Sequence, residues 1–308
     1  MTTDPTVHAR GLARSFGTVD AVRDIDFDAH AGEVTALIGP NGSGKTTLLL
    51  MLASLLRPDR GIVRICGHDP ATEPAAVRAR LGWMPDTLGV WESLTAREIL
   101  VTIARLYGIG RAPATERADH LLETVRLVEL ADTPARALSR GQQQRLSLAR
   151  ALVHDPAVLL LDEPASGLDP GARVDLRILL RQLAAEGRTI VVSSHVLAEL
   201  DEIADRAVFV AGGRTVRTQT LAEADAQARR YVIRALDPST LDAALIRAGR
   251  PAQSAPDRRP GERIVLVDDD TRAAALLREL IDAGVAVTEF APATGAWEQT
   301  YLSLQEQP

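Results

Sequence analysis

The sequence predicts an α/β protein with a parallel sheet of β-α-β units, entered through a run of strands and followed by a smaller α/β appendage. Three observations predict it. First, Glu33–Ile38, Ala157–Leu161 and Thr189–Ser193 are short apolar runs of the kind that form buried parallel strands. Second, each is followed by a helical stretch, at Thr46–Leu56, Pro170–Glu186 and Val196–Ala204, so strands and helices alternate. Third, the character changes after about residue 225, where strands at Arg230–Leu236, Arg263–Val267 and Val285–Phe290 surround an amphipathic helix, Thr271–Ala283. The domains expected are therefore 6–225 and 226–308.

Residues 6–38 read as strands, because Ile25, Phe27 and Ala29 alternate with Asp24, Asp26 and Asp28 at the period of a half-buried strand. Gly61–Gly67 reads as another short strand. Residues 95–150 read as mostly helical, interrupted by Gly108–Pro113, with one helix expected over Gln143–Val153. In the appendage, the Pro/Arg/Ser stretch Gly249–Gly261 reads as an exposed loop.

The 308 residues carry a net charge of −6, which argues against a nucleic-acid binder. A single cysteine, Cys66, leaves no disulfide framework and reads as a small buried hydrophobe. No apolar run approaches the roughly 18–20 residues that span a bilayer, and the first residues lack a charged-then-apolar signal segment. A cytoplasmic chain that reaches any membrane through a partner is the expectation. Of the 35 basic residues only Lys45 is a lysine. A compact ammonium is thus kept at one position in a chain that otherwise uses Arg, whose planar fork is no equivalent.

That position lies in Gly39-Pro40-Asn41-Gly42-Ser43-Gly44-Lys45-Thr46, which matches G-x-x-x-x-G-K-[ST] between a predicted strand and a predicted helix. Glycines let backbone N–H groups turn inward around phosphate oxygens, and the helix N-terminus adds partial positive charge. Lys45 is placed for the β and γ phosphates of ATP and Thr46 for Mg²⁺, with Thr47 beside them. The run Ala157–Leu161 then delivers Asp162-Glu163 to the carboxyl edge of the sheet, where ligands bind in open α/β folds. Asp162 suits Mg²⁺ and Glu163 suits a general base for water. Alone, such a pair is also an ordinary surface turn.

With these motifs in order, the chain resembles the nucleotide-binding subunit of ABC transporters over about residues 6–220. Leu138-Ser139-Arg140-Gly141-Gln142 resembles the ABC signature, Ser166-Gly167-Leu168-Asp169 the D-loop, and His195 the switch histidine. Phe16 sits where the family places an adenine-stacking aromatic. The resemblance implies a P-loop ATPase core with an N-terminal antiparallel β subdomain and a helical subdomain at about 87–150. It implies that Ser139, Arg140, Gly141 and Gln142 close over ATP held by a second ATP-binding subunit, in a homodimer as first choice with a heterodimer left open. Asp169 would organise that interface, and His195 would bond the γ-phosphate. Each also has a plainer reading: Ser139 as a helix cap, His195 as a surface histidine, Phe16 as core.

Two departures stand out. Arg140 replaces the family's usual Gly, with a contact to phosphate or to the second subunit as the expectation. Asp86, after Leu81-Gly82-Trp83-Met84-Pro85, replaces the Q-loop glutamine and is assigned to catalysis and Mg²⁺. In the family the neighbouring groove receives a helix of a separate membrane permease, and Leu88 and Trp91 are candidate contacts. The segments Ala283–Phe290 and Trp297–Leu302 resemble the C-terminal extension of bacterial exporter ATPases. The resemblance therefore implies an exporter ATPase on the cytoplasmic side of the membrane, without direct membrane insertion. A soluble ABC ATPase outside transport and an unrelated phosphate-loop kinase are the competing readings.

Overall fold

The computed structural model describes residues 5–86, 89, 91, 93–250 and 261–305. They form two compact units divided between Thr218 and Gln219.

In the first unit the chain runs β1 (Val7–Phe16), β2 (Val19–Ala29), β3 (Val34–Ile38), α1 (Lys45–Leu52), β4 (Arg60–Ile65), α2 (Pro74–Arg78) and β5 (Leu81–Met84). It continues through α3 (Ala96–Leu106), α4 (Arg111–Thr124), α5 (Arg140–Leu152), β6 (Val158–Asp162), α6 (Pro170–Ala185), β7 (Thr189–Ser193), α7 (Leu197–Asp201), β8 (Arg206–Ala211) and β9 (Arg214–Thr220). The strands make one sheet in the order β4-β1-β2-β9-β8-β3-β7-β6-β5. Strands β8, β3, β7, β6 and β5 pair in parallel, whereas β4, β1 and β2 pair antiparallel. Every residue of β3, β6 and β7 is buried, because helices cover both faces. In β2 the expected alternation holds: Ile25, Phe27 and Ala29 are buried while Asp24 and Asp26 are exposed. Their faces join α1 in the main core, with Leu48, Leu49 and Leu52 against Phe27 and Leu37.

Several helix bounds differ from expectation, for local reasons. α1 stops at Leu52, short of Leu56, because Ser54 takes a left-handed φ of 60°. Pro113 does not interrupt the helical region. It lies in the first turn of α4, where its missing N–H costs nothing. The break falls at Gly108, left-handed at φ 83° after Tyr107 closes α3. α5 starts at Arg140 rather than Gln143, because Ser139 caps it. Cys66 is only half-buried, just past β4 at φ 49°.

The second unit holds α8 (Leu221–Asp225), β10 (Arg229–Ala235), α9 (Pro238–Arg247), β11 (Arg263–Val267), α10 (Asp270–Asp282), β12 (Val287–Pro292) and α11 (Ala296–Gln305). Its antiparallel sheet, β11-β10-β12, packs Tyr231, Ile233 and Val265 against Leu241, Leu245 and Leu276 of α9 and α10. The division precedes residue 226 because α8 packs on α11, and Gln219 accepts a hydrogen bond from Thr300 at 3.3 Å. Helix α9 had no counterpart in the sequence reading. Of the loop expected at Gly249–Gly261, residues 251–260 lie outside the described residues.

β5 is held close to α5 by Gly82, where a Cβ would sit 2.2 Å from the Ala151 carbonyl oxygen and 2.8 Å from Leu159. Gly82→Ala is expected to lower unfolding free energy by about 1–3 kcal/mol in urea titration. At Gly89, where a Cβ meets nothing within 4 Å, the same change should stay within about 0.5 kcal/mol. Equal costs at the two positions would refute the close-approach argument.

Candidate functional site

The loop between β3 and α1 owes its shape to two glycines. At Gly39 a Cβ would lie 2.2 Å from the Val210 carbonyl oxygen, so only glycine lets the loop leave β3 against β8. Gly44 caps α1 in the left-handed region, φ 102°, and a Cβ there would meet the Ala21 carbonyl oxygen at 2.6 Å. Pro40, Asn41 and Gly42 between them are exposed, and Ser43 is buried.

Lys45, the first residue of α1, bends back across this loop. Its Nζ donates to the carbonyl oxygens of Gly39 at 2.7 Å and Pro40 at 3.2 Å. Burial pushes the ammonium below its ordinary value, while the charges of Glu163 and Asp162 hold it up. Thr46 is exposed and Thr47 half-buried beside it. Thr46 Oγ1 donates to Asp162 Oδ2 at 3.2 Å.

Asp162 ends β6, and the parallel register sets it level with Ser193 at the end of β7. Ser193 Oγ donates to Asp162 Oδ1 at 2.5 Å and accepts from the Glu163 amide at 3.1 Å. The same amide donates to the Ser193 carbonyl oxygen at 3.2 Å, and Gln144 Nε2 donates to the Glu163 carbonyl oxygen at 3.0 Å. These bonds hold Glu163 in a left-handed conformation, φ 51°, uncommon for a residue with a Cβ. Such a conformation costs on the order of 1–3 kcal/mol and clusters at functional sites. It turns the Glu163 carboxylate toward His195, whose Nδ1 lies 2.8 Å from Oε2. Burial pushes the Glu163 carboxyl up from its ordinary value, and the bond to His195 opposes that. The His195 ring itself is largely exposed.

The signature segment opens α5 as a capping box: Ser139 Oγ accepts from the Gln142 amide at 3.3 Å, and Gln142 Oε1 accepts from the Ser139 amide at 2.8 Å. The plain reading of Ser139 as a helix cap is thus also realised. Gly141 lies close to the D-loop, where a Cβ would come within 3.3 Å of the Gly167 carbonyl oxygen. The Arg140 guanidinium donates to Ser166 Oγ at 3.0 Å within its own chain, and its stem lies against Gly167. Asp169 caps α6, accepting from the Ala172 amide at 3.0 Å, and that bond holds its carboxyl below the usual range.

The structure thus brings Lys45, Thr46, Asp162, Glu163 and His195 together. Asp86 is exposed just past β5, beside the β6 edge that carries Asp162. Phe16 ends β1 at the tip of its hairpin with β2, 48% exposed, with the Arg14 guanidinium 5.0 Å from its ring centroid. Trp91 is 49% exposed, whereas Leu88 lies outside the described residues. Two contributors escaped the sequence reading. Ser193 had a signal, a hydroxyl ending an apolar strand. Gln144 had none, since its burial depends on α5 lying over Glu163.

No helix among the described residues is long and apolar enough to cross a membrane. A family described as "ABC transporter" matches residues 22–166. Over 314 residues the chain is 33% identical to the daunorubicin/doxorubicin resistance ATP-binding protein DrrA of Streptomyces peucetius, covering 100% of this chain and 95% of that protein. It is 37% identical over 212 residues to the Nod factor export ATP-binding protein I of Ralstonia nicotianae, covering 69% of this chain and 66% of that one. The ATP-binding subunit of an ABC transporter superposes with a TM-score of 0.66 at 30% identity, over 71% of this chain and 91% of that one. A dimeric post-hydrolysis ATP-binding cassette bound to ADP and Pi superposes at 0.65 and 26% identity, over 70% and 98%. Motif order, sheet topology and full-length similarity agree, and the chain belongs to the ABC transporter family as an ATP-binding, ATP-hydrolysing subunit.

Proposed function

We propose that this subunit powers export. Two copies close on ATP, on the cytoplasmic side of the membrane, and drive a separate permease. What carries the reading is the similarity that runs through the C-terminal unit to a drug-resistance ATP-binding protein. The Nod factor export relative supports the same direction.

In this reading the amides of residues 39–46 and the Lys45 ammonium grip the β and γ phosphates at the N-terminus of α1. Thr46 and Asp162 offer two hard oxygen donors 3.2 Å apart. Among the described residues no cluster of three or more His, Cys, Asp or Glu adds to them. That donor set fits Mg²⁺, which keeps waters and takes phosphate oxygens rather than a protein cage. Mg²⁺ would neutralise charge building on the phosphates, held by Thr46 and Asp162 with Asp86 nearby. Glu163 takes the proton from the attacking water, and His195 steadies that carboxylate while its other ring nitrogen faces the γ-phosphate. Ser139, Gly141 and Gln142 at the start of α5 close on the nucleotide of the second copy. Arg140 stiffens that edge through Ser166, Asp169 shapes the interface, and Phe16 stacks on adenine. Trp91 lies where a permease helix docks.

Glu163→Gln is expected to retain ATP binding and to lower kcat for phosphate release by about 10²–10⁴-fold; turnover at the normal rate would sink the base assignment. The pH profile gives a second test. A general base works as the carboxylate, so turnover is lost as pH falls through the Glu163 pKa. The bond from His195 lowers that pKa. His195→Ala should therefore move the acid limb of kcat to higher pH, besides lowering its plateau. An unmoved limb would uncouple the two residues. For export itself, co-expression with the membrane protein of the neighbouring gene should yield a detergent-stable complex whose ATPase rate exceeds that of the free subunit.

A further inference from the structure

Helix α6 carries Arg173, Arg177 and Arg181 at intervals of four, so they share one face. Each pairs with an acid across the gap to α7 and the turn after it. Arg173 meets Glu199 at 3.0 Å, Arg177 meets Glu202, and Arg181 meets Asp205 at 2.7 Å. This ladder bridges the gap between the helices without filling it. Along it runs a cleft of about 410 Å³, half open to solvent, lined by Pro164, Leu176, Leu180, Val192, Leu200 and Ile203. Leu180 and Leu200 are fully buried, whereas Val174 is exposed at the edge.

We propose that this cavity is a binding site for an uncharged, largely apolar small molecule. Volume and lining are those of a small-ligand pocket, for which about 300–1,000 Å³ is usual. The charges at the mouth are already paired with one another. An ionised ligand would find no free counter-charge there and would lose its hydration on entry.

The site has a route to the chemistry. Pro164 follows Glu163 directly, and Ser194 and Val196, which flank His195, also line the cavity. Ser194 Oγ accepts from the Val196 amide at 3.0 Å, so this wall is a closed turn. An occupant braces both segments and holds the 2.8 Å Glu163–His195 pair in its present arrangement. Since that is the arrangement in which His195 steadies the base, turnover then rises while ATP affinity is unchanged. That consequence rests on the catalytic roles given above to Glu163 and His195; the binding site does not.

The test uses the purified full chain and Nile red, an uncharged fluorescent probe. The expected result is saturable binding, a kcat that rises with occupancy at constant KM for ATP, and a dissociation constant raised roughly tenfold, or about 1.4 kcal/mol, by Leu180→Trp. Val174→Trp, at the exposed edge of the same cavity, should weaken binding in the same direction should Leu180→Trp fail to fold. An anionic dye, 1-anilinonaphthalene-8-sulfonate, should not compete. Binding untouched by cavity-filling substitutions, or displaced by the anion, would overturn the site. Binding at the cavity with an unmoved kcat would overturn its link to turnover. Should Glu163→Gln turn over normally while Nile red still binds, the fault lies in the catalytic assignment and not in the site.

Discussion

The site depends on one hydroxyl between two buried strands. β6 and β7 are apolar until their last positions, where Asp162 and Ser193 fall level. In that dry setting a lone carboxylate would be costly. Ser193 donates to Asp162 and accepts from the next amide, so it satisfies the aspartate and fixes the backbone of Glu163 at once. From that follow the left-handed turn at Glu163, the direction of its carboxylate and its meeting with His195. With its other oxygen Asp162 accepts from Thr46, tying the acidic edge to the start of α1. Loop, acid pair and His195 are therefore one hydrogen-bonded assembly hung on a strand register.

How much of this was legible in the sequence follows from which physics is local. Buried parallel strands announce themselves as apolar runs, so β3, β6 and β7 were read to within a residue at each end. β8, equally apolar from Ala207 to Val210, passed unread because no motif ended it. Helix ends were read less well, since they turn on single residues in special conformations: Ser54 stops α1 early, and the break expected over Gly108–Pro113 opens at Gly108 but closes at Gly110, where α4 begins. The phosphate loop was legible because its spacing is itself the geometry. Gln144 and Ser193 were not, because what they touch is set by packing between elements far apart in the chain.

Arg140 has a structural task of its own. Where glycine would leave the space beside Gly167 open, arginine fills it with its stem and reaches Ser166, so the start of α5 and the turn at Ser166–Asp169 are cross-braced within one chain. Asp169 likewise has a task within its own chain, since its carboxylate caps α6.

The lone lysine closes the electrostatic argument. Burial alone would favour loss of its proton, and the two carboxylates beyond it oppose that. Its Nζ donates to two carbonyl oxygens of its own loop, bonds that a compact ammonium makes within a narrow space. A guanidinium is wider and planar, and five donors in a fixed fork would need acceptors that Gly39 and Pro40 alone do not supply. A chain whose other Lys or Arg positions are all arginine therefore departs from its habit at the one place where a charge must be small enough to sit inside the loop.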